Sequence, residues 1–260
     1  MNMPADSQEQ FSSPAIVGAR GWRLFFCETA TSTNDLARTL PPWSAVRAAT
    51  QTAARGRFGR SFVCDRGGLW LSAILPAEGG ATRWTGFSLV VGYHLLLVLK
   101  DLAVPNARLR WPNDLMSGKK KLAGLLIEQG ARDTLTIGVG LNVTNAPWQH
   151  DRFLEDSSTR LADLLTPIPD LHALATSVLD ALANAHRSMQ QGSLEGAIRE
   201  LNKHWTSSEV KITLTDGETL HGKFMGLDER AYLRILPPSF QERLVAYQDV
   251  IRLEELARSF

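Results

Sequence analysis

The stretch Gln51-Thr52-Ala53-Ala54-Arg55-Gly56-Arg57-Phe58-Gly59-Arg60 sets three arginines and two glycines within its last six residues, in a chain of net charge +1. Residues 45–50 and 69–75 on either side are apolar and prone to extended structure. The arginines therefore lie on a long polar loop, 51–68, between two strands. Gly56 and Gly59 carry no Cβ, so backbone N–H groups can turn toward an anion while the guanidinium groups fork onto its oxygens. That composition suits a phosphate or a carboxylate; the same spacing also fits a solvated basic loop. No Gly-Lys-Ser/Thr follows, which excludes a P-loop.

Toward the N-terminus, residues 23–27 read as a short strand. Thr31-Ser32-Thr33-Asn34-Asp35 offers helix caps ahead of Leu36-Ala37-Arg38, so a strand–turn–helix opens the domain. Residues 1–21 are expected to be a flexible tail, since residues 1–19 have neither a basic n-region nor an apolar h-region. Toward the C-terminus, 84–102 reads as a buried helix. Its greasiest part, 87–99, is interrupted by Gly92 and His94 and falls short of the roughly 18 apolar residues of a membrane span. Residues 108–111 and 122–128 read as strands joined by a connection carrying Pro112, Asn113, Asp114, Ser117 and Gly118. Residues 135–143 form another strand, a candidate for side-by-side pairing at a sheet edge, although pattern alone does not place it there. Its Gly138 and Gly140 predict a bulge or the close approach of a ligand.

Leu171, Leu174, Val178, Leu182 and Ala185 keep helical spacing, as do Leu194, Ala197, Ile198, Leu201 and Trp205. From Glu209 the period becomes two. Val210, Ile212 and Leu214 alternate, Asp216-Gly217 makes a hairpin turn, and 220–224, 232–236, 244–247 and 250–253 follow as short strands. The expected architecture is α+β: a mixed β-sheet backed by helices in 22–207, then a small β-barrel in 208–260, packed on the main domain.

A chain of 260 residues with 44% hydrophobic and 21% charged residues is ordinary for a soluble globular protein. Its near-neutral charge argues against a global basic field for nucleic acid or an anionic membrane. Cys27 and Cys64 form neither a disulfide framework nor a metal-ligand spacing and read as ordinary thiols, so the expected address is the cytoplasm.

Three further segments carry chemistry. In Leu109-Arg110-Trp111-Pro112-Asn113-Asp114 and Lys119-Lys120-Lys121-Leu122-Ala123-Gly124, Lys121 stands at the mouth of an apolar strand, where a desolvated ammonium suits a carboxylate or phosphate. Lys119 and Lys120 read as a hairpin tip. Gly124 leaves space for a flat ligand, and Asp114 either helps place a metal on a triphosphate or caps the turn. Ile137-Gly138-Val139-Gly140-Leu141-Asn142 lacks the third glycine and following helix of a dinucleotide site. Ser32-Thr33-Asn34 by itself reads as a helix cap.

Taken in order, Ser32-Thr33-Asn34, the arginine loop, Gly67-Gly68-Leu69-Trp70-Leu71-Ser72, Trp111-Pro112-Asn113-Asp114, Lys121-Leu122-Ala123-Gly124 and Gly138-Val139-Gly140-Leu141-Asn142 resemble the biotin–protein ligases. The resemblance runs from about Trp22 to Leu253. It implies a class II synthetase-like catalytic domain with an SH3-like barrel, and a reaction in two steps. Biotin and ATP, with Mg2+, give biotinyl-5'-AMP; a lysine of a biotin carboxyl carrier protein, that of acetyl-CoA carboxylase being the family's usual target, then takes the biotin. By the same resemblance Arg57 and Lys121 are the catalytic pair. Ser32, Thr33, Asn34 and Gln51 face biotin, with Gly67, Gly68, Gly124 and Gly138 making room and Arg55 and Gly56 alongside. Arg55, Arg57, Arg60, Trp111, Asn113, Asp114 and Asn142 face the nucleotide, and Asp114 is the candidate metal ligand.

Ala54 stands where the family has a glycine and is expected to stiffen closure of the loop, while 249–253 lacks the usual Gly-Glu approach to the last strand. Relatives that also repress transcription carry an N-terminal helix-turn-helix, which roughly 20 residues ahead of Trp22 are too few to form. A ligase alone is expected, with neither nucleic acid nor membrane as partner, as a monomer or sheet-edge homodimer. Lipoate ligases and octanoyl transferases share the fold, but their Arg-Arg and Gly-Gly-Gly pattern is missing, and neither cysteine has the setting of a nucleophile. A non-catalytic biotin sensor or nucleic-acid binder fits the neutral charge and intact arginine loop less well.

Overall fold

Alternation along single strands sorts the residues between two faces of a large sheet. In Leu69–Pro76 (β4), Leu69, Leu71, Ala73 and Leu75 join the main core, while Trp70 and Ile74 belong to two smaller clusters. Both faces are covered, which is why this strand reads as one apolar run. The structure is a computed structural model that describes residues 11–130, 133–205, 209–239 and 241–256.

Seven other strands complete the sheet: Ala15–Val17 (β1), Trp22–Ala30 (β2), Ser44–Gln51 (β3), Ala107–Arg110 (β5), Asp114–Ser117 (β6), Lys120–Gln129 (β7) and Thr134–Leu141 (β8). Their order is β1-β2-β3-β4-β8-β7-β6-β5. Only β2 and β3 run parallel among these neighbours, and the short helix Thr33–Ala37 (α1) lies in their crossover, packed over β3, β4 and β8. The helices Phe87–Asp101 (α2), Leu171–Gln190 (α3) and Leu194–His204 (α4) pack together, and their apolar stripes join the core beneath the sheet. Asp170 caps α3, accepting from the N–H groups of His172 and Ala173 at 2.9 Å each.

The last five strands, Glu209–Leu214 (β9), Thr219–Leu227 (β10), Leu233–Leu236 (β11), Arg243–Val245 (β12) and Val250–Glu255 (β13), pair in the order β12-β11-β10-β9-β13. Gly217, at φ +89°, makes the turn between β9 and β10. Val210, Ile212, Leu233 and Ile235 belong to the same hydrophobic core as the large sheet. Trp111 Nε1 donates to the Ala231 carbonyl at 3.2 Å, and Arg108 pairs bidentately with Glu255 at 2.7 and 2.5 Å, so the two sheets are joined by packing and by charge.

Several expectations are corrected. The small sheet is open, with no pairing between β12 and β13 among the described residues, where a small SH3-like barrel was expected. Of the expected tail, residues 1–10 lie outside the described residues. Residues 11–21 contain β1, which pairs antiparallel with β2, and Phe11 packs 5.6 Å from Phe25. The connection between 111 and 122 contains β6. Its Leu115 and Met116 are buried, but the run is too short to register as a period. Finally, β8 lies between β4 and β7 in unbroken register, so it is neither bulged nor an edge.

Candidate active site

Gly138 pairs with Ser72 across β8 and β4, and together they form the floor under α1. A Cβ on Gly138 would lie 2.5 Å from Asn34 Oδ1, so the missing side chain admits Asn34. Ser72 Oγ lies 2.6 Å from Asn34 Oδ1 and 2.7 Å from Thr33 Oγ1. Thr33 donates from its backbone N–H and its hydroxyl to Gln51 Oε1, at 2.7 and 3.0 Å. Asn34 Nδ2 donates to Glu128 Oε2 at 2.6 Å, and Arg38 pairs with that carboxylate at 2.6 Å. Ser32, Thr33, Asn34 and Ser72 are all buried. Ser32 occupies the cap position of α1 but its side chain makes no capping bond. The Ser-Thr-Asn segment is thus part of a buried polar network, not a simple helix cap.

From this floor opens a cavity of about 520 Å³, and its far wall is cationic. Lys121 Nζ lies 2.6 Å from Asp114 Oδ1, and Arg110 lies 2.6 Å from Asp114 Oδ2. Burial alone would raise the Asp114 carboxyl, but Lys121 and Arg110 outweigh it and hold the group below the usual carboxylate range. Lys121 Nζ also lies 5.5 Å from the centre of the Phe62 ring, and a Cβ on Gly124 would come within 3.0 Å of it.

The arginine loop is a short hairpin. The Phe62 N–H donates to the Ala54 carbonyl at 3.1 Å and the Gly56 N–H to the Arg60 carbonyl at 2.7 Å. Phe58 and Gly59 turn it through φ +56° and +69°. Ala54 is buried with Cys64 and Trp70, so its methyl group packs at the base of the hairpin. Arg57 donates to the carbonyls of Tyr247 and of Val250, the latter at 3.2 Å, and Arg60 donates to that of Ile251 at 3.0 Å. Burial pushes the Arg57 guanidinium below its ordinary value. Arg55 instead pairs bidentately with Asp35, at 2.9 and 2.6 Å.

All of the expected site residues line this cavity except Gly67, Gly68 and Asn142. Gly67, at φ +101°, turns against Thr144, and Gly68 lies against the Trp70 ring. Asn142 donates to the Thr159 carbonyl at 3.0 Å and accepts from Asn145 at 2.9 Å, which fastens the chain that follows β8. Ser72 and Glu128, which complete the floor network, were missed, as were Phe62 and β13, which line the cavity. Ser72 left one signal, a lone hydroxyl in an apolar run; β13 left none, because tertiary packing alone brings it to the site.

Among the described residues no group of three or more His, Cys, Asp or Glu side chains could hold a metal ion. Both oxygens of Asp114, the expected metal ligand, are engaged by the cations Lys121 and Arg110. Burial pushes the Cys64 thiol up to about 12 and raises that of Cys27, which makes both poor nucleophiles at neutral pH.

Residues 27–143 match the biotin/lipoate A/B protein ligase family. The chain is 30% identical to a biotin–[acetyl-CoA-carboxylase] ligase of Mycobacterium tuberculosis, over 92% of this chain and 92% of the relative. It is 34% identical to the protein of the same name from Paracoccus denitrificans, over 83% of this chain and 95% of that one. A solved structure of the biotin protein ligase of Aquifex aeolicus in complex with biotin and ATP superposes with a TM-score of 0.79. It covers 90% of this chain and 99% of that one at 23% identity, a likeness of fold.

Proposed function

The chain belongs to the biotin/lipoate A/B protein ligase family, and from that membership we propose that it is a biotin–[biotin carboxyl-carrier protein] ligase. It joins biotin to ATP as biotinyl-5'-AMP and passes the biotin to a lysine of a carrier protein, that of acetyl-CoA carboxylase. One observation carries this reading: a single cavity has a buried hydroxyl-and-amide network at one end and a cluster of cations at the other.

The network suits biotin's ureido ring, which offers N–H donors and a carbonyl acceptor to Thr33, Asn34, Gln51 and Ser72. The dithiolane of lipoate and the methyl end of octanoate offer neither, and would leave these buried groups unmatched. At the other end the first step brings a carboxylate onto a phosphate. Two anions repel, so the main task of the protein is to neutralise charge. Lys121 fits the biotin carboxylate and then the oxygens around the new anhydride. Arg57 and Arg60 fit the phosphates; to reach them each exchanges a neutral carbonyl for an anion, an exchange favoured because opposite full charges attract and a phosphate accepts the guanidinium fork bidentately. Arg55 reaches the same anion by releasing Asp35. The hairpin then covers the adenylate and keeps water from the anhydride.

The test is direct. Purified protein with biotin and ATP yields biotinyl-5'-AMP and pyrophosphate, and a recombinant carrier domain added afterwards gains the mass of one biotinyl group as AMP is released. Absence of the adenylate would remove the proposal.

A further inference from the structure

A second cavity, of about 460 Å³, adjoins the first and shares four wall residues with it: Arg57, Pro112, Asn113 and Leu125. Its other walls come from Trp84 ahead of α2, from the start of α2 (Phe87 and Ser88), from β7 and β8 (Ile127, Gln129 and Leu135), and from Tyr232, Tyr247 and Gln248 of the C-terminal sheet region. Gln129 and Gln248 are exposed and mark its rim. This second cavity is less charged than the first. Aromatic and aliphatic side chains predominate, and among the described residues that line it Arg57 alone carries a charge.

We propose that this cavity is the channel through which the acceptor lysine reaches the adenylate, passing between Gln129 and Gln248 and meeting the mixed anhydride at Arg57. The inference rests on the ligase reading, because only that reading requires an amine to reach a centre already filled by anions. A lysine side chain is four methylenes ending in an amine, and apolar walls accept its stem. The amine attacks only when neutral, yet in water its pKa is about 10.4. Desolvation and a nearby guanidinium both disfavour the ammonium form, and no carboxylate lines the cavity to retain the proton. At the shared wall the amine nitrogen bonds to the anhydride's carbonyl carbon. The carbon–oxygen bond to phosphorus breaks, its electron pair leaves with AMP, and the amine's proton passes to solvent.

Ser88 is half-buried in the second cavity and does not line the first, so a bulky substitution there plugs one and spares the other. The assay follows transfer from preformed, enzyme-bound biotinyl-5'-AMP to Nα-acetyllysine amide and, separately, to a recombinant biotin carboxyl carrier domain. Ser88→Trp slows transfer to both by about tenfold or more, while biotin-dependent ATP–pyrophosphate exchange stays within about twofold of the parent. Gln248→Glu, at the exposed rim, serves as a second probe that does not depend on tolerance of a large side chain. Its carboxylate stabilises the ammonium and moves the pH profile of transfer upward, leaving that of exchange in place. Parental transfer with unshifted profiles in both variants would overturn the channel. So would a raised KM for ATP in exchange by Ser88→Trp, which would make the cavity a nucleotide site. Absence of exchange in the unsubstituted protein would instead overturn the ligase reading itself.

Discussion

Lys121, Asp114 and Arg110 hold the charge balance of the cationic wall, with Asp114 2.6 Å from each cation. Removing the ammonium in Lys121→Ala leaves Asp114 paired with Arg110, so the protein folds, but adenylate formation falls by about 100-fold, read as the rate of pyrophosphate exchange. The folded Asp114 carboxyl lies below its unfolded value, about 3.9. Its contribution to stability is therefore complete above that value and lost only as pH falls through the lower folded one. Asp114→Asn flattens that acid limb of a melting-temperature profile and leaves its shape between about pH 5 and 8, set by other groups such as His94 and His186, unchanged. Cys64, buried and pushed up to about 12, stays unmodified by iodoacetamide at about pH 8 in the native protein and reacts once denatured. At this scale the site residues were legible through the order of motifs shared with the family, not through local pattern, since Thr33 and Gln51 meet across 18 positions of the chain. Ser32–Asn34 and Gln51 were found, whereas Ser72 and Glu128 join them only through pairing of distant strands. Gly67 and Gly68 were misjudged because a missing side chain makes room for a ligand or for the protein's own Thr144 and Trp70, and sequence does not distinguish the two.

Elements show the same division. Long periodic helices and the alternation of β9 were read with their bounds nearly right, because burial of one face imposes the period. The short β6 and β1 were not, since four residues or fewer carry no measurable period. Nor does a strand's own pattern reveal its neighbours, so the interior position of β8, a candidate edge strand, became visible only in the sheet order. The contact that holds β13 over the site is equally non-local. Arg108 and Glu255 are 11% and 15% exposed, and Glu255→Ala leaves a guanidinium largely buried without its partner. Breaking such a pair costs about 3 kcal/mol, measurable by chemical denaturation, and amide exchange in 250–255 accelerates. The comparable change at the exposed Arg66–Glu28 pair costs no more than about 0.5 kcal/mol.

For the molecule as a whole, one hydrophobic core runs beneath both sheets, and the arginine loop, β13 and the floor network meet where they join. No helix among the described residues is long and apolar enough to cross a membrane. The cavity draws its walls from residues 32 to 255, so filling it stabilises the entire fold. Biotin and ATP together should therefore raise the melting temperature more than either alone. The central claim is chemical: this cavity activates biotin, and biotin in preference to other carboxylic acids. ATP–pyrophosphate exchange with biotin, lipoate and octanoate offered separately tests it most directly. The account predicts exchange with biotin alone; exchange driven by lipoate or octanoate, or by none of the three, would contradict it.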